Sequence, residues 1–311
     1  MAARLLSLGH YVPSRVLTNA ELTEMVDTSE EWIRRRVGIE TRHIAADDET
    51  VADMASRAGA KALAAAGLEA EDIDMVLVAT TTARERSPSN AARVSAQLGV
   101  TCPVAIDINT FCSGFTHAVA LADQAIGAGA ASRALVIGSD KFSDFTDWTD
   151  RSTCVLLGDG AGAAVVAASD EPGISPVVWG TDAQMGRAVR LEPPSNVFEQ
   201  DGKTVYRWAT TALAEIAHAV CERAGVKPEE LGALVLHQAN LRIIEPLAER
   251  IGAVNAVVAR DVIESGNTSA ASIPLAFSKL VERGEIPSGV PVLLLGFGGG
   301  LSYAGQIVDC P

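Results

Sequence analysis

The sequence predicts a layered α/β protein made of two related halves, and three observations carry that prediction. Apolar β-like runs alternate with alanine-rich helical stretches. "AGLEAEDIDMVLV" (66–78) matches "AGVKPEELGALVL" (224–236) in charge pattern and apolar phase, at an offset of 158 residues. At the same offset Asn109-Thr110 falls on Asn267-Thr268, and "ALVIG" (134–138) falls on "VLLLG" (292–296). Three matches at one offset mark an internal duplication. Continuous apolar strands suit sheets covered on both faces, so the halves are expected to pack back to back. The boundary lies near residue 170, in the turn-rich "SDEPGISP", giving an N-terminal half (1–170) and a C-terminal half (171–311).

Composition narrows the class. With 48% hydrophobic and 21% charged residues, the 311-residue chain reads as globular. Its formal net charge of −14 argues against nonspecific nucleic-acid binding, because phosphate backbones select basic surfaces. The five cysteines (102, 112, 154, 221, 310) are scattered and never spaced C-x-x-C, which suggests neither a disulfide framework nor a zinc site. Nothing resembles H-E-x-x-H and no metal is expected. The opening "MAARLLSLGHYVP" is too short in apolar content for a secretory signal, and no run reaches the roughly 20 apolar residues that span a bilayer. A cytoplasmic protein is expected, with no membrane partner.

The elements follow in order. "EEWIRRRVGIETRH" (30–43) puts Arg34, Arg35, Arg36 and Arg42 around Trp32, either as a local anion-binding patch or as a solvated charged helix end. β-like runs come at 74–81, 104–108, 133–139 and 161–168. "NTFCSGF" (109–115) lies where the strand "VAIDI" stops and an alanine-rich helix starts. Cys112 there is either a small buried hydrophobe or a nucleophile whose pKa the helix N-terminus lowers. In the second half His237 directly follows the apolar strand 233–236, and Asn267 begins the junction equivalent to Asn109. Cys112, His237 and Asn267 are thus expected at one end of the fold, as a nucleophile with two polar partners. His10, His43, His117 and His218 read as structural.

Two glycine-rich stretches, "GDGAGAA" (158–164) and "GFGGGLSYAG" (296–305), are not G-x-G-x-x-G before a helix. Each leads into a strand, which disfavours a nicotinamide-binding fold. Glycines 298–300 serve either to turn backbone N–H groups towards a ligand oxygen or to pack tightly. Cys310 reads as part of the terminal strand.

These residues carry a resemblance. "EEWIRRRVGIETRHIA", "CSGF", "GDGAGA", "HQANLRII", "GNTSAAS" and "GFGGGLSYAG" occur in the order and at close to the spacing of β-ketoacyl-acyl-carrier-protein synthase III, over essentially the whole chain. The resemblance implies a thiolase-like five-layered αβαβα fold and a homodimer. It implies decarboxylative Claisen condensation of an acyl-CoA primer with malonyl-acyl-carrier protein, in fatty-acid or polyketide initiation, with acyl-CoA as substrate and no cofactor. By the same resemblance Cys112 takes the acyl group, and His237 and Asn267 assist decarboxylation. Backbone N–H groups of Cys112 and Gly299 form the oxyanion hole. Trp32 and Arg151 sandwich the CoA adenine, Thr28 and Arg36 lie near its phosphates, and Asn240 lines the pantetheine arm. Arg207, Gln238 and Arg242 meet the carrier protein, whose contact is altered by Glu249 where relatives often carry lysine.

The departures from the family pattern fall on the acyl pocket. Ser87 stands where many relatives place an aromatic that reaches across the dimer, Phe111 replaces a small residue beside the nucleophile, and the stretch 185–205 is short. They imply an altered primer, such as a starter unit for a specialised metabolite. A rival of the same fold passes the acyl group from Cys112 to a hydroxyl, amine or carrier thiol without decarboxylation. A biosynthetic thiolase would need a second cysteine in the C-terminal glycine loop, which has none. A catalytically dead scaffold would have no use for the three polar residues together.

Overall fold

A computed structural model of the chain describes residues 1–101 and 104–311; Cys102 lies outside the described residues. The first half contains β1 (Ala2–Tyr11), β2 (Arg15–Thr18), α1 (Asn19–Met25), α2 (Glu30–Val37), β3 (Thr41–Ile44) and α3 (Val51–Ala66). It continues with β4 (Met75–Ala79), α4 (Asn90–Leu98), β5 (Val104–Ile108), α5 (Gly114–Gly127), β6 (Arg133–Lys141) and β7 (Asp159–Ser169). The second half has β8 (Val178–Thr181), β9 (Val189–Arg190), β10 (Glu199–Gln200), α6 (Gly202–Ala224), β11 (Ala233–Leu236) and α7 (Leu241–Ile251). Then come β12 (Val257–Val258), α8 (Val262–Ser265), α9 (Ser272–Glu282), β13 (Pro291–Gly298) and β14 (Ser302–Asp309).

Two five-stranded sheets, ordered β1-β7-β6-β4-β5 and β12-β11-β13-β14-β8, have one topology when the first is read backwards. In the first, β4 pairs in parallel with β5 and β6, and β7 runs antiparallel between β6 and β1. In the second, β11 pairs in parallel with β12 and β13, and β14 runs antiparallel between β13 and β8. Helices α5 and α9 lie between the sheets and touch both, α3 and α4 cover the outside of the first, and α6 and α7 cover the outside of the second. The result is the five-layered αβαβα arrangement. Phe115 and Phe277 from the middle helices, Val136 from one sheet and Leu294 from the other share one buried cluster, so the two halves have a common core.

Local chemistry accounts for the element ends. Thr50 caps the alanine-rich α3 in a box with Asp53, and Gly67, at φ +64°, ends it in the left-handed conformation. The run read as 74–81 stops pairing at Ala79, because the buried Asp140 carboxylate draws in Thr80 Oγ1, the Thr81 N–H and both the N–H and Oγ1 of Thr82. The opening "MAARLLSLGHYVP" supplies edge strand β1. The last strand ends at Asp309, one residue before Cys310.

The chain passes from the first sheet to the second between Ser169 and Val178. In space the division is different, since residues 15–44 pack on the second half. Leu22, Ile33 and Val37 share a core with Ile243 and Leu247 of α7, and the Glu40 N–H donates to the Ile263 carbonyl. That placement brings α2 to the cavity described next.

Candidate active site

The same local device builds both junctions between the sheets. After β5 a 3₁₀ turn, Phe111–Ser113, leads into α5; after Asn267 a 3₁₀ turn, Ser269–Ala271, leads into α9. The first residue of each turn has positive φ, +51° at both Phe111 and Ser269. Non-glycine residues seldom hold this conformation unless their surroundings impose it.

Cys112, His237 and Asn267 line one cavity of about 640 Å³. Cys112 is buried, and burial pushes its thiol up, to about 12, with the Asp140 charge adding to the effect. Of the two readings of Cys112 the sequence left open, burial favours the protonated thiol, because desolvation disfavours the anion. His237 is 2% exposed, and burial pushes it down to about 3. The resting pair is therefore thiol and neutral imidazole. The His237 backbone N–H donates to the Leu295 carbonyl, the ring Nδ1 lies 2.7 Å from Ser272 Oγ, and Phe297 meets the ring edge-to-face at 5.1 Å. Asn267 is clamped through its backbone to Leu156 and Gly158, and its Oδ1 accepts from the Ser269 N–H at 2.9 Å. With the amide oxygen occupied, the NH₂ is the end left for a ligand.

The glycine loop presses on the nucleophile. A methyl group at Gly298 would stand 2.8 Å from Cys112 Cβ and 3.1 Å from its Sγ, and one at Gly299 would stand 2.6 Å from the Phe111 ring. Close packing thus accounts for these glycines, and it places Gly298 beside the sulfur. In "GDGAGAA" it is again close approach: a methyl at Gly162 would lie 2.4 Å from the Leu275 nitrogen of α9.

Of the other residues singled out by sequence, Gly299, Trp32, Arg36, Arg151, Asn240 and Arg242 also line the cavity. Asn240 precedes α7 and its side chain makes no cap bond, so its amide is available. The Arg151 guanidinium lies over the Trp32 ring, 5.4 Å from its centroid, and donates to the Asp27 carbonyl. A base between them needs about 7 Å, two van der Waals contacts, so the arginine has to swing away to admit one. Thr28 does not line the cavity, although its buried Oγ1 has no hydrogen-bond partner.

Several expectations are corrected. Arg42 is fully buried, donating to the Leu17 and Val155 carbonyls and to Asn19, and Arg34 and Arg35 pair with Glu30 and Glu31 on the outer face of α2. Of the basic run, only Arg36 reaches the cavity. Gln238 is fully buried, donating to the Leu236 and Ala259 carbonyls and accepting from the Val262 N–H, so it is no surface contact for a carrier. Arg207 is exposed on α6 outside the cavity lining. Ser87 is exposed on a loop and does not line this chain's cavity. Phe111 lines a second cleft of about 320 Å³, with Thr110, Arg187 and Arg190, on the far side of Gly299. The four other histidines each bond within the fold: His10 to Ser278, His43 to the Pro13 carbonyl, His117 to the Ser113 carbonyl, and His218 to the Ile251 carbonyl.

Phe297, Ser272, Lys203 and Tyr206 also belong to the site. Phe297 and Ser272 sat inside motifs already quoted, two residues before Gly299 and five after Asn267. Lys203 and Tyr206, at the cavity on the first turns of α6, had no signal beyond their spacing. Among the described residues, no three His, Cys, Asp or Glu side chains converge as metal ligands, and no helix is long and apolar enough to cross a membrane.

Comparison with known proteins matches residues 106–183 to the family 3-oxoacyl-acyl-carrier-protein synthase III, and residues 221–310 to the C-terminal part of the same family. The chain is 66% identical to beta-ketoacyl-acyl-carrier-protein synthase III 2 of Streptomyces avermitilis and 64% identical to synthase III 4 of Streptomyces coelicolor, each over 99% of both chains. Among solved structures it resembles the priming β-ketosynthase of a polyketide biosynthetic pathway, with a TM-score of 0.96 and 41% identity over 100% of this chain and 96% of the other.

Proposed function

The chain belongs to the 3-oxoacyl-acyl-carrier-protein synthase III family, and on that premise we propose that it condenses an acyl-CoA primer with malonyl-acyl-carrier protein, in fatty-acid or polyketide initiation. One observation carries this for the site: a buried thiol, a neutral imidazole and an amide with its oxygen tied back converge on one cavity.

In the first step the Cys112 sulfur attacks the acyl-CoA carbonyl, the carbon–sulfur bond to CoA breaks, and the thiol proton leaves with CoA. In the second the malonyl carbon–carbon bond breaks, releasing carbon dioxide, and its electron pair makes an enolate on the carrier thioester. That oxygen is held by the His237 N–H and the Asn267 NH₂. A neutral donor suits it, because a charged imidazolium would be costly at 2% exposure. In the third step the enolate carbon attacks the acyl thioester on Cys112. The new oxyanion is held by the N–H groups of Cys112 and Gly299, and the intermediate collapses to 3-ketoacyl-carrier protein as the bond to sulfur breaks, leaving a Cys112 thiolate that takes a proton from water to restore the thiol. The steps need only thiol, imidazole, amide and backbone groups, so acyl-CoA enters as substrate and no cofactor is invoked.

In this reading Trp32 and Arg151 clasp the adenine, Arg36 serves its phosphates, and Asn240 serves the pantetheine. Arg242 and Arg207 receive an acidic carrier on an otherwise acidic chain. Arg242, lying over the exposed Tyr206 ring at 5.7 Å, is held at the cavity mouth. The protein works as a homodimer, a reading supported by the open edge of β5, where Val104 and Ile106 are 40% and 48% exposed. A reducing cytoplasm suits the free, buried Cys112, Cys154, Cys221 and Cys310.

Intact-protein mass spectrometry with a panel of acyl-CoAs, then malonyl-acyl-carrier protein, tests the reading. The expected result is a mass gain absent from Cys112→Ala, discharged with carbon dioxide release and a 3-ketoacyl carrier product. Discharge onto another acceptor with malonyl untouched would make the protein an acyltransferase, and no acylation by any donor would overturn the enzyme reading.

A further inference from the structure

Resting on the reading that His237 donates an N–H to the enolate, we propose that Ser272 is a positioning residue that fixes the tautomer of His237, placing the imidazole proton on Nε2. Ser272 opens α9 and is fully buried, with its Oγ 2.7 Å from His237 Nδ1. The same oxygen accepts from the Gln238 backbone N–H at 3.3 Å. A neutral imidazole has one donor and one acceptor nitrogen, and a hydroxyl has one proton.

Were the proton on Nδ1, Ser272 Oγ would receive two N–H donors. Its own hydrogen would then face no acceptor among the described residues, leaving a buried donor unpaired. With the proton on Nε2 every group is used. The Gln238 N–H donates to Oγ, Oγ–H donates to Nδ1, and Nε2–H is left for the cavity. Phe297 meets the ring edge-to-face and offers no competing in-plane acceptor. Since burial keeps the imidazole neutral, its tautomer decides whether the cavity sees a donor or an acceptor. One junction therefore supplies both halves of the enolate site: Asn267 before the 3₁₀ turn gives the amide, and Ser272 after it sets the imidazole.

Two-bond proton–nitrogen correlation spectra of the full chain labelled with ¹⁵N-histidine read the tautomer, with His237 assigned by the signals lost in His237→Gln. The native chain is expected to show Nε2–H. In Ser272→Ala an Nδ1–H form should appear, and condensation should fall about tenfold or more, towards the hundredfold or greater loss that follows removal of an oxyanion donor. Acylation of Cys112 should keep its rate, and Ser272→Thr, which retains the hydroxyl, should move both readouts back. An Nδ1–H His237 in the native chain overturns the proposal without any variant, as does a Ser272→Ala chain that stays Nε2–H. The spectrum is read on the resting protein, so a chain with Nε2–H that condenses nothing counts against the proposed function and still supports the role of Ser272.

Discussion

His10 and His237 are both held neutral by burial, and this makes the fold acid-sensitive. Desolvation lowers His237 from 6.5 to about 3; for His10, lowered to about 4, desolvation again comes first, with Lys61 adding to it. The unfolded chain therefore binds protons that the folded chain refuses, so the stability is fully present above pH 6.5 and is lost as pH falls towards the folded values. Each pH unit below 6.5 removes about 1.4 kcal/mol per histidine. Asp159 works in the opposite sense, since burial raises it to about 6 and the fold then holds its proton more tightly than the unfolded chain. Comparison with variants isolates the histidines. Between pH 7.5 and pH 5, the fall in urea-unfolding free energy should be about 2 kcal/mol smaller in His237→Gln, and likewise in His10→Gln, than in the native chain. Equal falls in all three would contradict it. At this scale the sequence was a partial guide. Residue type and position picked out Cys112, His237 and Asn267, but Gln238 sits in the same motif as His237 and spends its amide entirely inside the protein.

The two sheet-to-helix junctions are the elements on which the site depends, and glycines allow the helices to approach closely enough. Gly162 on β7 lies under α9, where an added methyl would stand 2.4 Å from the Leu275 nitrogen and 2.8 Å from Pro274 Cβ. Backbone atoms cannot rotate away, so Gly162→Ala has to push the helix outwards. Overpacking of this kind costs about 1–3 kcal/mol. The expected result is a lower urea midpoint together with slower condensation, because α9 carries Ser272 and follows Asn267. An unchanged midpoint would contradict the packing argument. Strand positions were largely legible from apolar runs: the run at 104–108 matches β5, and the one at 233–236 matches β11. Strand ends were less so, because β4 stops where Asp140, distant in sequence, captures the chain at Thr80.

At the scale of the whole molecule, β5 is an edge strand of its sheet among the described residues, and Val104 and Ile106 on it are exposed. Leu121 on α5 is also exposed, and so is Trp179 on β8, stacked 5.7 Å from His117. Proteins normally cover or charge such an edge, and a second copy of the chain covers it here in the proposed homodimer. Light scattering during gel filtration should give the mass of two chains. Ile106→Lys, which places a charge in that interface, should shift the mass to one chain while circular dichroism stays native. A native protein that elutes as one chain would contradict the dimer, as would an Ile106→Lys chain that stays dimeric.

The sequence by itself determined the duplicated α/β architecture, the family and the three polar residues of the site, because periodicity, motif order and residue chemistry are local properties of the chain. Only the tertiary structure decided which charges are usable. Arg34, Arg35, Arg36 and Arg42 look alike in sequence, yet two pair on the surface, one reaches the cavity and one is sealed in the core. It also decided that Cys112 rests as a thiol, that residues 15–44 lean on the opposite half, and that Ser272 meets His237. The physical reason is common to all of these: burial and hydrogen-bond partners are set by segments far apart in the chain, and desolvation then overrules what each residue type would do in water.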